Sequence, residues 1–202
     1  MNHENRKGIQ IVAISGSVRP NNFTTRALAL VVDEIKNHEE ISIQVIEPQK
    51  LNLPLPGAGV NSKEVETLQQ TVSEATGVIL ATPEYHGSYS SVMKLVIDNL
   101  GFPSALSGKP ISLLGVAAGQ IGAIKALEHL RSVCSHVGAI VLPGPVSVAK
   151  VHKLFNEEGQ CLDGKTEARI RRVATNLIDY IKGYICPKIA LEEMVRRESR
   201  AA

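Results

Sequence analysis

Short apolar runs alternate along the chain with longer segments in which apolar residues recur every three or four positions. The runs at residues 9–14 and 77–81 are rich in β-branched side chains, and they predict strands that are covered on both faces. Residues 41–46 alternate between apolar and polar side chains, as a strand at the edge of a sheet does. Two further strands are predicted at residues 108–116 and 139–142.

The segments between these runs have the apolar spacing of a helix with one buried face. Helices are predicted over residues 22–36, 62–75, 91–100, 121–136 and 166–184. Ser90 or Ser91 is expected to cap the third helix, and Ile124, Leu127 and Val133 of the fourth are expected to face the core. Five strands alternating with helices favour a flavodoxin-like three-layer α/β sandwich, with a five-stranded parallel sheet in the order 2-1-3-4-5.

The composition is that of one globular domain. The chain has 202 residues, of which 44% are hydrophobic and 21% are charged, so a full core can form. We expect a single domain over residues 1–202, with a core at about 9–185 and a C-terminal tail at 186–202. The net charge of +2 and the lack of a basic stripe interleaved with aromatic residues argue against binding to nucleic acid.

The targeting and redox signals favour the cytoplasm. No apolar run is long enough to span a bilayer, and the N-terminal MNHENRKG lacks the apolar stretch of a signal peptide. Cys134, Cys161 and Cys186 are widely spaced and form no CxxC pair, which is typical of reduced thiols. We therefore expect a cytoplasmic protein with no membrane partner, no metal site and no catalytic cysteine.

The loop after strand 1 carries the donors of an anion site. In this fold, ligands bind beyond the carboxyl ends of the strands. The sequence SGSVRPNNFTTR (15–26) leads into a helix whose positive end favours a phosphate. It also supplies hydroxyl, guanidinium and amide groups from Ser17, Arg19, Asn22, Thr24 and Thr25. A plain helix start needs only one capping residue, and the GxGxxG and GxxxxGK[ST] nucleotide motifs are both absent.

The stretch after strand 3, TPEYHGSYSS (82–91), is richer in unusual residues than a plain turn requires. Pro83 stiffens the backbone, and Gly87 lets a flat ligand approach it. The N–H groups from Glu84 to Gly87 are expected to reach the polar edge of a ring, and Tyr85 to pack on its face. Taken singly, Tyr85 is better explained by ordinary packing and His86 by a solvated loop histidine, and Glu84 is also consistent with a solvated loop carboxylate.

The loop after strand 4, VAAGQIGA (116–123), is built from small residues. Ala117, Ala118 and Gly119 leave room for a flat group against the backbone, and Gln120 offers both a donor and an acceptor. Taken alone, this loop fits an ordinary strand-to-helix turn as well as it fits a ligand site. Together, a phosphate loop after strand 1 and two loops suited to a planar ligand predict a binding site for FMN.

Two stretches resemble the NAD(P)H-dependent FMN reductase family, flavodoxin-like enzymes that act on quinones, azo dyes, chromate or free flavin. GSVRPNNFTTRAL (16–28) is similar to the family's phosphate loop, which begins GSxRxxS, and residues 82–100 are similar to its TPEYNGSxPGxLKNxxD segment. The resemblance covers residues 9–184. It implies that the FMN phosphate is bound by Ser17, Arg19, Asn22 and Thr24. It also implies that the isoalloxazine is lined by Pro83, Glu84, Tyr85, His86 and Gly87, and on its far side by Ala117, Ala118, Gly119 and Gln120. Asn22 stands where serine is usual, and His86 where asparagine is common.

The resemblance also implies a reaction and an assembly. Hydride transfer from NADPH or NADH to bound FMN would be followed by electron transfer to a small acceptor, in a ping-pong sequence. No protein group is expected to act as a catalytic acid, base or nucleophile. Because the family usually forms homodimers or homotetramers, a homo-oligomer is expected.

Other functional classes have less support in the sequence. A flavodoxin-type electron carrier or a flavin-sensing module without turnover is the alternative. Such carriers usually sandwich the ring between aromatic residues, whereas this chain has no Trp and only 3% aromatic residues. A hydrolase or phosphatase is disfavoured, because neither GxSxG nor CxxxxxR occurs. The chain shows neither the acidic residue nor the arginine that would distinguish NADH from NADPH in a Rossmann site.

Overall fold

The computed structural model describes residues 8–58 and 62–201. Residues 1–7, where the sequence shows no signal-peptide pattern, and residue 202, at the end of the predicted tail, lie outside the described residues. The described strands are β1 (Ile9–Ser15), β2 (Ile41–Ile46), β3 (Gly77–Tyr85), β4 (Ser88–Tyr89), β5 (Pro110–Val116), β6 (Ile140–Val141) and β7 (Val146–Val148). The described α-helices are α1 (Phe23–Lys36), α2 (Lys63–Glu74), α3 (Ser91–Asp98), α4 (Ile124–His136), α5 (Gly164–Tyr180) and α6 (Cys186–Ala201).

The main sheet is parallel, with β1 and β3 in its interior. Its order, β2-β1-β3-β5-β6, confirms the predicted flavodoxin-like order 2-1-3-4-5. Ile14 of β1 lies opposite Ile46 of β2 on one side and opposite Leu80 of β3 on the other. The carboxyl ends of β1, β3 and β5 therefore meet at one edge of the sheet, where ligands bind in this fold.

Two strands differ from their predicted extents. β3 continues past residue 81 to Tyr85, because β4 pairs with its last residues as an antiparallel hairpin. The fifth strand, predicted at 139–142, is split into β6, which pairs with the start of β5, and β7, which pairs with its end. Pro143 and Pro145 lie between the two pieces, and proline lacks the N–H that a sheet ladder needs.

Helices cover both faces of the sheet. α1 and α5 pack on one face, where Val31 and Leu177 are fully buried. α2, α3 and α4 pack on the other, where Val72, Met93 and Leu130 are fully buried. Successive residues of the central strands point alternately into the two cores, which explains their continuous apolar runs. These layers confirm the predicted three-layer α/β sandwich.

α4 begins at Ile124 rather than at residue 121, and the expectation that Ile124 faces the core is wrong. Its side chain is 46% exposed, whereas Leu127, Leu130 and Cys134 form the buried face of the helix. At about 100° of rotation per residue, Ile124 lies about a quarter of a turn away from that face.

The last helix extends beyond the predicted residues 166–184. Asp163 caps its start, because the Asp163 carboxylate accepts the N–H of Thr166 at 3.0 Å. A π-helical segment at Ile181–Ile185 then connects α5 directly to α6. The expected tail from residue 186 is therefore helical through residue 201.

Candidate functional site

The first loop, residues 16–22 after β1, is anchored to the end of β3 and to the start of α3. The N–H of Gly16 donates to the Ala81 carbonyl at 2.6 Å, and the Gly16 carbonyl accepts from the Ser90 hydroxyl at 2.5 Å. Ser90 also accepts the N–H of Met93 at 3.1 Å, which makes Ser90 rather than Ser91 the N-cap of α3. The loop is thus held directly against its neighbouring strand.

Asn22 uses its side chain to shape the first loop. Its Oδ1 accepts the N–H of Thr25 at 2.8 Å, and its Nδ2 donates to the Arg19 carbonyl at 2.7 Å. Asn22 is therefore the N-cap of α1, a position that asparagine and serine suit about equally. The first turn of α1 carries no acidic residue, so the positive end of the helix is left available to attract an anion.

Ser17 brings a buried hydroxyl to the same loop. The residue is 4% exposed, and its Oγ has no hydrogen-bond partner in the part of the chain that the structure describes. A buried hydroxyl without a partner costs about 1–3 kcal/mol, so a ligand oxygen beside it would remove a penalty. Two further hydroxyl groups are close by in sequence, on the buried Thr24 and the exposed Thr25. This set of donors fits the phosphate of FMN.

Arg19 joins the first loop to the second site segment. Its guanidinium carbon lies 4.8 Å from the ring centroid of Tyr85, a cation–π distance. At an exposed position such a contact contributes about 0.5–1 kcal/mol. The residue predicted to bind phosphate therefore touches the residue predicted to pack on the flavin ring.

The second segment is the β3–β4 hairpin, residues 84–89. Tyr85 pairs with Ser88, and the two residues between them, His86 and Gly87, have φ values of 50° and 73°. Two positive φ values in a two-residue hairpin are typical of a type I′ turn, which favours Asn-Gly. Histidine, like asparagine, tolerates this left-handed region better than most residues, which explains how His86 can replace asparagine here.

Glu84 is a half-buried carboxylate that caps a helix of another layer. Its Oε2 accepts the N–H of Ala126, in the first turn of α4, at 3.0 Å. α4 has no local cap, since its N-cap residue is Ala123 and its first turn contains no acidic residue. Glu84 therefore satisfies an N–H of α4 and places negative charge at its positive end. The alternative interpretation, that Glu84 is a solvated loop carboxylate, is wrong.

Further contacts hold the hairpin on α4. Tyr89 packs on the cluster that contains Ala123 and Ala126, and this burial raises the pKa of the Tyr89 phenol. The Ser88 hydroxyl and Nδ1 of His129 are 3.0 Å apart. The predicted site residues do not include Tyr89. The sequence does carry a signal for the hairpin that positions it, because two strand-like segments are separated by a two-residue turn that contains glycine.

The third loop, residues 117–123, is fixed on its inner side and open on its outer side. Ala117 donates its N–H to the Val148 carbonyl at 2.9 Å, and Ala123 donates to the Ser147 hydroxyl at 2.8 Å. Residues 118–120 are exposed, and a Cβ built on Gly119 would meet nothing within 4 Å. Ser147 lies 24 residues from Ala123 in the sequence, so no local pattern predicts that it supports this loop.

Other site chemistries lack support in the described residues. Within residues 8–58 and 62–201, no group of three or more His, Cys, Asp or Glu side chains is placed to hold a metal ion. No helix within those same ranges has the length and apolar character to cross a membrane. Burial raises the pKa of the Cys134 thiol to about 12, so it is not a nucleophile at neutral pH.

Two curated relatives are similar over most of their lengths. The chain is 29% identical over 171 residues to an NAD(P)H-dependent FMN reductase of Pseudomonas aeruginosa, covering 81% of this chain and 90% of that one. It is 27% identical over 185 residues to an FMN-dependent NADPH-azoreductase of Staphylococcus aureus, covering 89% and 95%.

A solved structure and a family model agree with these similarities. FerB, a flavoenzyme NAD(P)H:acceptor oxidoreductase from Paracoccus denitrificans, superimposes with a TM-score of 0.74 at 22% identity, covering 87% of this chain and 98% of that one. At that identity the likeness establishes the fold alone. Residues 9–153 match the model of the NADPH-dependent FMN reductase family. This chain belongs to the NADPH-dependent FMN reductase family.

Proposed function

We propose that this protein is an NAD(P)H-dependent, FMN-containing oxidoreductase that passes electrons to a small acceptor. Its family and the names of its relatives support an FMN cofactor and a nicotinamide co-substrate. The observation that carries the proposal is Ser17, whose buried hydroxyl lacks a partner among the described residues, in the loop that leads to α1, a helix with no acidic residue in its first turn. A bound anion would supply the missing hydrogen-bond partner of Ser17 and would be favoured by the positive end of the helix.

The first loop would hold the phosphate of FMN. Ser17 would donate its hydroxyl, Arg19 its guanidinium, and Thr24 and Thr25 their hydroxyls. Asn22 already caps α1, so its contribution would be to hold the N–H groups of the loop in position.

The hairpin and the third loop would hold the isoalloxazine. Pro83 and the backbone from Glu84 to Gly87 would line one edge of the ring, with Tyr85 against a face. The third loop would close the far side through the residues named for it: Ala117, Ala118, Gly119 and Gln120. Glu84 ties the hairpin to the first turn of α4, the helix that directly follows the third loop.

When bound, FMN supplies the chemistry of accepting a hydride and donating electrons. The chain supplies orientation, so that nicotinamide and acceptor reach the same open face of the ring in turn. Backbone N–H groups of the hairpin would place partial positive charge at the ring's polar edge. No side chain is required as an acid, base or nucleophile, so we assign no catalytic residue and no metal.

We also propose that the protein is a cytoplasmic homodimer or homotetramer that binds small molecules and no nucleic acid. Support for the assembly comes from the family resemblance of the sequence, because members of that family usually form homodimers or homotetramers. Candidate acceptors are quinones, azo compounds, metal oxyanions and free flavin. Analytical ultracentrifugation tests the assembly, and a monomer at micromolar concentration would contradict it.

The function is tested by mixing the FMN-loaded protein with NADPH or NADH in a stopped-flow spectrometer. We expect the flavin absorbance near the visible maximum to bleach rapidly with at least one coenzyme and to return when a quinone is added. Absence of bleaching with both coenzymes would contradict a reductase and favour the electron-carrier alternative.

A further inference from the structure

The segment that follows the sheet's last strand lies against the third loop. Lys150 donates its N–H to the Gly119 carbonyl at 3.0 Å, and Val151 donates its N–H to the Ala117 carbonyl at 3.0 Å. Val151 is buried, which fixes the segment in place, whereas Lys150 is exposed. One lysine is therefore held at a defined position on the rim of the proposed ring cradle.

Lys150 keeps this position at a cost in backbone energy. Its φ is 49°, in the left-handed region, which is unfavourable for a residue with a Cβ. Glycine or asparagine would adopt this conformation more easily. The turn alone therefore does not explain why this position carries a lysine.

The charge of Lys150 is also uncompensated. Within the part of the chain that the structure describes, Lys150 makes no ion pair with a carboxylate, and neither does its neighbour Lys153. Other exposed lysines of the described residues, such as Lys36 and Lys63, make no ion pair either, so Lys150 is distinguished by its position beside the third loop. A cation without a partner beside a binding cradle attracts anionic ligands.

The phosphate of FMN does not account for this charge. The proposed phosphate loop follows β1, whereas Lys150 follows β7, and the pairing runs from β1 through β3 and β5 to β7. Three strand spacings amount to about 14 Å, which exceeds the reach of a lysine side chain. Lys150 is thus available for a different anion at the opposite end of the site.

We infer that Lys150 recognises the 2′-phosphate of NADPH and so sets a preference for NADPH over NADH. The inference rests on the proposed function. The two coenzymes differ only in that phosphate, a compact dianion that suits the point charge of a lysine ammonium. Binding needs no proton or electron transfer by Lys150, which acts by charge and hydrogen bonding alone.

The test uses Lys150→Met, which removes the charge but keeps most of the side-chain stem. Lys153→Met removes the same charge from an exposed lysine three residues away and serves as the matched control. In the FMN-loaded protein we expect Lys150→Met to lower kcat/KM for NADPH by at least about tenfold, through KM, the effect of losing about 1.4 kcal/mol of binding. The value for NADH should change less than about twofold in either variant.

A binding measurement separates this inference from the reductase proposal. The FMN-loaded protein is titrated calorimetrically with adenosine 2′,5′-bisphosphate and with AMP, neither of which carries a nicotinamide. We expect wild type and Lys153→Met to prefer the bisphosphate, and Lys150→Met to lose that preference. An unchanged preference in Lys150→Met, or an equal loss in Lys153→Met, would overturn the role of Lys150. If the wild-type protein oxidises neither NADPH nor NADH, the proposed function is overturned instead.

Discussion

Replacing Ser17 with alanine is expected to stabilise the FMN-free protein and to weaken FMN binding at the same time. The Ser17 residue is 4% exposed, and its hydroxyl has no partner among the residues that the structure describes. Removing a buried hydroxyl of this kind recovers part of a penalty of about 1–3 kcal/mol, so we expect the free energy of unfolding to rise by about 1 kcal/mol.

The same substitution removes one hydrogen bond to the phosphate of FMN. A hydrogen bond to a charged group contributes about 1.5–3 kcal/mol, so the dissociation constant for FMN should rise by about 10–150-fold. Riboflavin lacks the phosphate and should bind wild type and Ser17→Ala about equally.

Two titrations measure these opposite effects. Urea unfolding of the FMN-free protein gives stability, and quenching of flavin fluorescence gives affinity for FMN and riboflavin. Ser91→Ala, at an exposed serine beside the cap of α3, is the control, and both quantities should change little. If Ser17→Ala destabilises the FMN-free protein and leaves FMN affinity unchanged, the hydroxyl has a structural partner and the phosphate assignment is refuted.

Substitutions at Glu84, Gly16 and Gly119 test how the cradle is built. Glu84→Ala should lower the free energy of unfolding by about 1–3 kcal/mol, since it removes both the cap and the charge at the start of α4, and Glu84→Gln should lose less. Gly16→Ala should destabilise the protein and weaken FMN binding, because its Cβ would lie 2.8 Å from a backbone carbonyl oxygen, whereas Gly119→Ala meets open space and should leave the stability of the FMN-free protein unchanged.

Urea unfolding and FMN titration measure both sets of variants. Glu128→Ala, at an exposed position in the same helix, is the control for Glu84→Ala. Equal stability of the two variants would contradict the capping role of Glu84. A Gly16→Ala variant with wild-type stability and FMN affinity would show that the first loop does not lie against β3 as described.

The strand order was predictable because buried strands have a recognisable local pattern of residues. A strand covered on both faces must be apolar at every position, and the run from Val78 to Ala81 shows this directly. The split of the fifth strand follows from Pro143 and Pro145, which the sequence also shows, but its two pieces pair with β5 through residues too far apart for local patterns to reveal.

The site was predictable at the level of loops and less so at the level of contacts. The surplus of donors in the first loop is visible in the sequence, yet the assignment of the Asn22 amide to helix capping is a matter of geometry. The bond from Glu84 to Ala126 spans 42 residues, so only the fold brings the two together. The left-handed backbone of Lys150 has no signal in its own sequence.

The central claim is that the three loops at the carboxyl edge bind a flavin through its phosphate. The most direct measurement is a fluorescence titration of the flavin-free protein with FMN and with riboflavin under the same conditions. We predict one FMN per chain, bound at least about 100-fold more tightly than riboflavin, since two hydrogen bonds to a phosphate contribute about 3 kcal/mol or more. Equal affinities for the two flavins, or no binding of FMN at all, would contradict the account.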